Sequence, residues 1–241
     1  MFADGYDSMD FVFGPRPRFP GGVADPVDYS LLDAPASHVV DTARGLLGWQ
    51  LEANGVRVAI TEVEAYAGVG EDPASHSHRG PTERSSVMFG PAGVLYVYFV
   101  FGMHWCMNVT AGHEGEAAAV LLRAGKVIGG VELARSRRGP VADRELARGP
   151  ARLSVALGID GSANRTSLLD GTGPARLIPA AAVPPATIRS GPRVGVAAAH
   201  DVPWRFWLDG EPSVSAYRRH TPRRRTGTPG TSDTPGTRRT S

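Results

Sequence analysis

Two residue types are nearly missing from this chain of 241 residues: it has one cysteine, Cys106, and one lysine, Lys126. A lone cysteine cannot close an intrachain disulfide and cannot supply a Cys-based zinc site. It fits a reducing compartment, so a cytoplasmic location is expected. A lone lysine leaves few amines for Schiff-base chemistry. Long apolar runs are also missing. No stretch reaches the roughly 18 residues that a membrane helix requires, so no membrane partner is expected. Asp4, Asp7 and Asp10 stand where a secretory signal would carry basic residues, so none is expected there.

What is present is glycine and proline, 30 and 20 residues. That much turn-forming chain argues against a helical bundle. Apolar residues make up 41 %, enough for the core of one domain. Net charge is +2, but its distribution is uneven. Five Arg against one Asp give Thr221 to Ser241 a charge of +4, leaving about −2 for the rest. If that body binds a polyanion, its positive charge must be gathered on one face.

Residues 1–28 lack periodicity and read as a mobile leader that could pack through Phe11 and Phe13. From 29 to 218 the pattern is that of one folded domain. Residues 219–241, rich in Arg, Thr, Pro and Gly, read as a disordered tail. Within the domain, a helix is expected over Ser37–Leu47 with Gly48 as its stop. Trp49–Glu52 and Val56–Tyr66 flank Asn54-Gly55, the chain's best hairpin signal. A long polar loop, Gly68 to Pro91, is followed by strands at Val94–Phe101, Trp105–Thr110 and Ala117–Ala124. The first two of these are joined by a tight turn. Ile128–Arg138 is weakly helical, and Ala151–Leu157 is a short helix ended by Gly158. Leu168–Ile188 reads as a strand plus a Pro-rich linker. Arg193–Ala198 and Trp204–Leu208 read as late strands. Hairpins with short helices, and no βαβ alternation, predict an α+β fold on a mainly antiparallel sheet.

Glu62 and Glu64 share one face of the Val56–Tyr66 strand by the two-residue period. Two carboxylates on a largely apolar strand should not both be comfortably buried. One is therefore a candidate for activating water, and the bland alternative is a solvated strand end. Tyr66, His76, Tyr96, Tyr98, Phe101, His104 and Trp105 form a dense aromatic set. Tyr96 is expected in the core. Phe101, beside Gly102 at a turn tip, is either core or a wedge between bases. His76 and His78 lack the carboxylate or cysteine companions of a metal site, so no metal and no cofactor is expected. Asn108 is either a structural bridge or a reader of a ligand edge.

Together these residues resemble the alkyladenine (3-methyladenine) DNA glycosylase family. The matching motifs are Glu64-Ala65-Tyr66, Asp72 to Ser77, Met88-Phe89, Gly93 to Tyr98, Gly102-Met103, Cys106 to Asn108 and Val120 to Ala124. Gly149 to Leu153, Arg193 to Val196 and Trp204 to Phe206 follow in the same order. The resemblance covers roughly Tyr29 to Tyr217. It implies a curved sheet with short flanking helices and a protruding hairpin that inserts into DNA. It implies Glu64 as the base that deprotonates the attacking water, with Arg123 and the carbonyl of Val194 positioning that water. Tyr66, His76 and Tyr98 would sandwich the flipped base, and Asn108 would discriminate against the 2-amino group of guanine. Phe101 stands where animal members carry a wedging tyrosine, keeping the ring and losing the hydroxyl; Met103 and His104 would border it.

The expected function is thus excision of alkylated or deaminated purines from double-stranded DNA by a monofunctional, monomeric enzyme. The candidate lesions are 3-methyladenine, hypoxanthine and ethenoadenine. Lys126 has no geometric reason to lie in the pocket, so no strand cleavage is expected. The alternative is a non-catalytic lesion-sensing protein on the same fold. A small-molecule enzyme would leave an aromatic at a hairpin tip unexplained.

Overall fold

A computed structural model describes residues 27–220 of the chain. Leader residues 1–26 and tail residues 221–241 lie outside the described residues, as do Phe11 and Phe13. Among the described residues the architecture is α+β: eight strands form one antiparallel sheet with three short α-helices against it. The strands are β1 (Gln50–Ala53), β2 (Val56–Tyr66), β3 (Leu95–Val100), β4 (His104–Thr110), β5 (Ala119–Gly129), β6 (Ala175–Ile178), β7 (Ile188–Gly191) and β8 (Arg205–Leu208). The order β3-β4-β5-β2-β1-β6 runs across the sheet, while β8 pairs with β2 and β7 with β8. The helices are α1 (Val39–Gly45), α2 (Val131–Arg138) and α3 (Pro150–Leu157). The apolar residues of α1 and α3 pack with β1, β2, β4 and β5 in one main core.

The Asn54-Gly55 hairpin is present, with Ala53 opposite Val56. Both turn residues have positive φ, 47° and 79°, as a type I′ turn demands. The turn also closes a helix. Asn54 Nδ2 donates to the carbonyls of Leu157 and Gly158 at 3.0 and 2.8 Å, satisfying acceptors left open at the end of α3. Gly130 is fixed by close approach: a Cβ there would lie 2.1 Å from the Gly55 carbonyl oxygen.

β2 decides what reaches the site. Val56, Val58 and Ile60 belong to the core, and so do Val63 and Ala65. The core face therefore changes parity at Thr61. The β2–β5 register is irregular there, with Thr61 and Arg123 both left out of the paired positions. Strict alternation would aim Glu62 and Glu64 the same way as Val58 and Ile60, into the core. The bulge turns them, with Tyr66, onto the opposite face. The buried Thr61 hydroxyl is satisfied by Ser213 Oγ at 2.9 Å.

Four expectations need correction. Arg193–Ala198 is not a strand; it is an irregular segment between β7 and β8. Pro192 lacks a ladder donor, Gly195 has φ of 72°, and the segment's amides bind elsewhere. Ile128 is the end of β5 rather than the start of α2, because β5 stays paired with β2 as far as Gly129. Of Leu168–Ile188 only Ala175–Ile178 is the expected strand, and Ile188 opens β7 instead. Finally, Glu62 and Glu64 are both fully buried.

Candidate active site

One face of the sheet carries an open cleft of about 790 Å³. Tyr66, His76, Tyr98 and Asn108 line it, as do Arg123 and Val194. Phe101 and His104 line its mouth, while Met103 stands outside at the hairpin tip, 66 % exposed. Glu64 has no exposed surface and lies directly behind three of the lining residues.

The Glu64 carboxylate is held from three sides. The Val194 amide donates to Oε1 at 2.7 Å, Arg123 Nη1 approaches Oε1 at 3.3 Å, and the Tyr66 hydroxyl donates to Oε2 at 2.7 Å. The Val194 amide thus engages Glu64 itself. An ionised carboxylate offers about four acceptor positions. Two are filled by hydrogen bonds from Val194 and Tyr66, and Arg123 stands as an ion-pair contact against Oε1, so Oε2 keeps a position free.

The expectation that two carboxylates cannot both be buried fails because their charges are matched. Glu62 Oε1 accepts from Arg123 Nε at 3.0 Å and Arg205 Nε at 2.6 Å. Ser215 donates its amide to Oε2 at 2.7 Å and its hydroxyl to Oε1 at 2.9 Å. Two carboxylates and two guanidiniums are buried as a neutral set, which removes most of the cost of an unpaired charge. Burial opposes the charge of Arg123, but Glu64 and Glu62 outweigh it and hold its pKa above the usual value.

The aromatic wall is organised by hydrogen bonds. His76 Nδ1 pairs with the Tyr96 hydroxyl at 2.8 Å. Tyr96 is core, only 2 % exposed, as its strand position predicts. The His76 and Tyr98 rings meet edge to face, with centroids 4.8 Å apart. Desolvation of its packed edge, then the charge of Arg84, push His76 down to about 4, although its outer face stays open. Burial, then the charge of Glu64, raises Tyr66 well above the usual phenol value. Burial raises Tyr98 too, and pushes the Cys106 thiol up to about 11. The wall therefore carries no net charge at neutral pH. Asn108, 4 % exposed, donates its amide to the Tyr96 carbonyl at 3.2 Å while bordering the cleft. It bridges strands and borders the space that a ligand would fill.

The hairpin tip is unusual. Phe101 is 83 % exposed and has φ of 55°, followed by Gly102 at 69°. A non-glycine aromatic at positive φ is strained. Its ring is offered to solvent, so the core reading of Phe101 is wrong.

Three residues with structural weight had no role assigned from the sequence. Arg193, 1 % exposed, forks onto Asp72 at 2.5 and 2.8 Å and donates to the Ala65 carbonyl at 2.9 Å. It also lies 4.7 Å from the Tyr66 ring centre. It holds both Tyr66 and the neighbouring Val194. Arg205 and Ser215, the partners of Glu62, are distant in sequence from it, so no spacing signal could have found them. The only signal for Asp72 and Arg193 was their presence in the matching motifs. Among the described residues, no three His, Cys, Asp or Glu side chains are grouped as a metal ion would need. Lys126 is exposed on β5 and is not part of the cleft wall.

Comparison with known proteins gives this arrangement a class. The profile of the methylpurine-DNA glycosylase family matches residues 33–212. A protein of Nocardia farcinica is 55 % identical over 183 residues, covering 73 % of this chain and 86 % of its own. One of Streptomyces avermitilis is 51 % identical over 203 residues, covering 79 % and 92 %. One of Mycobacterium tuberculosis is 51 % identical over 185 residues, covering 75 % and 90 %. Each carries the name "Putative 3-methyladenine DNA glycosylase". The chain belongs to the methylpurine-DNA glycosylase family, DNA repair enzymes that hydrolyse the bond between base and sugar.

Proposed function

We propose that the protein excises alkylated or deaminated purines, 3-methyladenine foremost and hypoxanthine or ethenoadenine as further substrates, after flipping them out of duplex DNA. The observation that carries the reading is Glu64, buried behind an aromatic-walled cleft with an acceptor position of Oε2 free. A base inside a duplex exposes no glycosidic bond to such a group, so it must leave the stack, at a cost of a few kcal/mol. Phe101, already offered to solvent, fills the vacated space, with Met103 and His104 beside it. Stacking of the extruded base on Tyr66, His76 and Tyr98 offsets the rest, at roughly 1–3 kcal/mol per base. The neutral wall suits a cationic alkylated purine, because His76 without a proton does not repel it. Asn108 faces the base edge and would leave the 2-amino group of guanine without room.

Water then occupies the free position of Glu64, gives up its proton to the carboxylate and forms the bond to the sugar carbon as the glycosidic electron pair leaves on the purine. A cationic alkylated purine thus departs neutral, and a neutral lesion departs as an anion that takes a proton from solvent. Arg123 and Val194 hold the groups that define where this water sits. Among the described residues no amine lines the cleft, and hydrolysis leaves an abasic site without strand cleavage. The protein acts as a monomer, in the cytoplasm, on genomic DNA. The test is single-turnover excision from a duplex with one hypoxanthine and from alkylated DNA, comparing wild type with Glu64→Gln. Excision by wild type should fall at least about 100-fold in the variant, with DNA binding retained. Tight binding without excision by wild type would favour a lesion sensor.

A further inference from the structure

Glu62 is as completely buried as Glu64 and makes more polar contacts, yet it does not border the cleft. Its contacts converge on Arg123. Glu62 takes the Nε of Arg123 at 3.0 Å, and Ser215 Oγ, itself bound to Glu62, accepts from Nη2 at 3.2 Å. The contact of Arg123 with Glu64, at 3.3 Å, is longer than either. The guanidinium is thus tethered on the side away from Glu64.

The charges around Glu64 can be counted by element. Tyr66 on β2, Tyr98 on β3 and Cys106 on β4 are all held neutral by burial. Arg193, from the segment after β7, is matched by Asp72. Arg205 on β8 stands opposite Glu64 in register. Arg84, from the long polar loop, lies 4.9 Å from the Tyr98 ring centre and is common to every variant compared, which leaves Arg123 and Arg205 on one side and Glu62 on the other. Without Glu62, both cations would act on Glu64 alone, and a carboxylate with opposite charges within about 4–6 Å becomes a weaker base.

We propose that Glu62 is a positioning residue that holds Arg123 back from Glu64 and thereby keeps Glu64 able to take a proton from water. The inference rests on Glu64 being the base. Glu62 acts through Arg123 and Arg205 and never meets the substrate. Its counterpart is Arg205, whose removal should leave Glu62 free to grip Arg123 harder.

The test is the pH profile of single-turnover excision from a duplex carrying one hypoxanthine, with enzyme in excess. In Glu62→Gln the acid limb should move down by about one pH unit, with a plateau rate lowered about tenfold. In Arg205→Gln the limb should move up. Opposite shifts from two neighbouring buried substitutions are not produced by loosened packing, which lowers rates without moving the limb in opposite directions. Should Glu62→Gln fail to fold, Arg205→Gln carries the test alone. A limb that stays at its wild-type position in the folded variants overturns the proposal. Glu64→Gln is run beside them. If it excises normally, the base is misassigned and this inference falls with it. If it is inactive while Glu62→Gln keeps the wild-type profile, only the role of Glu62 is wrong.

Discussion

Single residues in this protein are set by what their neighbours leave unsatisfied. His76 is neutral because its packed edge is desolvated and Arg84 stands nearby. Its folded pKa is depressed to about 4, against about 6.5 in an unfolded chain. The unfolded state therefore binds the proton more readily, and stability rises with pH across that interval. The contribution is fully present above about 6.5 and is lost as pH falls toward 4. Urea midpoints of wild type and His76→Gln, measured from about pH 7 to 4, should show a steeper acid decline in wild type. Phe101 offers a second case. Phe101→Gly relieves a positive φ that costs about 1–2 kcal/mol but adds about 0.5–1 kcal/mol of unfolded-state entropy. Thermal unfolding should therefore stay within a few degrees of wild type, while excision from duplex DNA falls at least about tenfold because the wedge is gone.

At the scale of elements, irregularities place the chemistry. The bulge at Thr61 turns β2 over, and the segment from Pro192 to Val194 gives up strand geometry to bring an amide to Glu64. Arg193 fastens that segment to Asp72 in the long polar loop and to the Ala65 carbonyl on β2. Arg193→Met would leave Asp72 buried without its cation. It should cost about 3–5 kcal/mol by urea unfolding and slow excision by the surviving folded protein, because Val194 loses its anchor. The β1–β2 turn is a purely structural counterpart. Gly130→Ala would drive a Cβ into the Gly55 carbonyl at a backbone position with φ of 67°. It should lower stability by more than about 1 kcal/mol while leaving the pH profile of excision unchanged.

For the whole molecule, the question raised by a nearly neutral composition is where the positive charge goes. The cleft answers it: Arg84, Arg148, Arg152 and Arg218 line it against Glu145, while Arg123 is already matched by the buried carboxylates. Glu145 is engaged by Arg148 and Arg152, each at 2.5 Å, so a phosphate backbone would meet a surplus of cations at the rim. The Arg-rich tail adds charge of the same sign. Removing residues 221–241 should lower the log–log salt slope of DNA binding by roughly one unit for each phosphate that the tail neutralises in the full-length protein. An unchanged slope would mean that the tail touches no phosphate.

Much of this is legible in the order of the residues alone. The α+β class follows from hairpin signals and scarce helical periodicity, and the Asn54-Gly55 turn from residues that tolerate positive φ. Tyr66, His76, Tyr98, Asn108, Arg123 and Val194, singled out in the sequence, do converge on one cleft. Turn chemistry and period are written in neighbouring residues, whereas Arg123 and Val194 were singled out only by the family resemblance. Other features needed the tertiary structure. Alternation alone would have aimed Glu62 and Glu64 into the core, and only the register irregularity against β5 turns them to the cleft side. The burial of Glu62 depends on Arg123, Arg205 and Ser215, which lie 61 to 153 residues further along the chain. A buried charge is tolerable only when its partners arrive with it, and which partners arrive is decided by how the whole sheet closes.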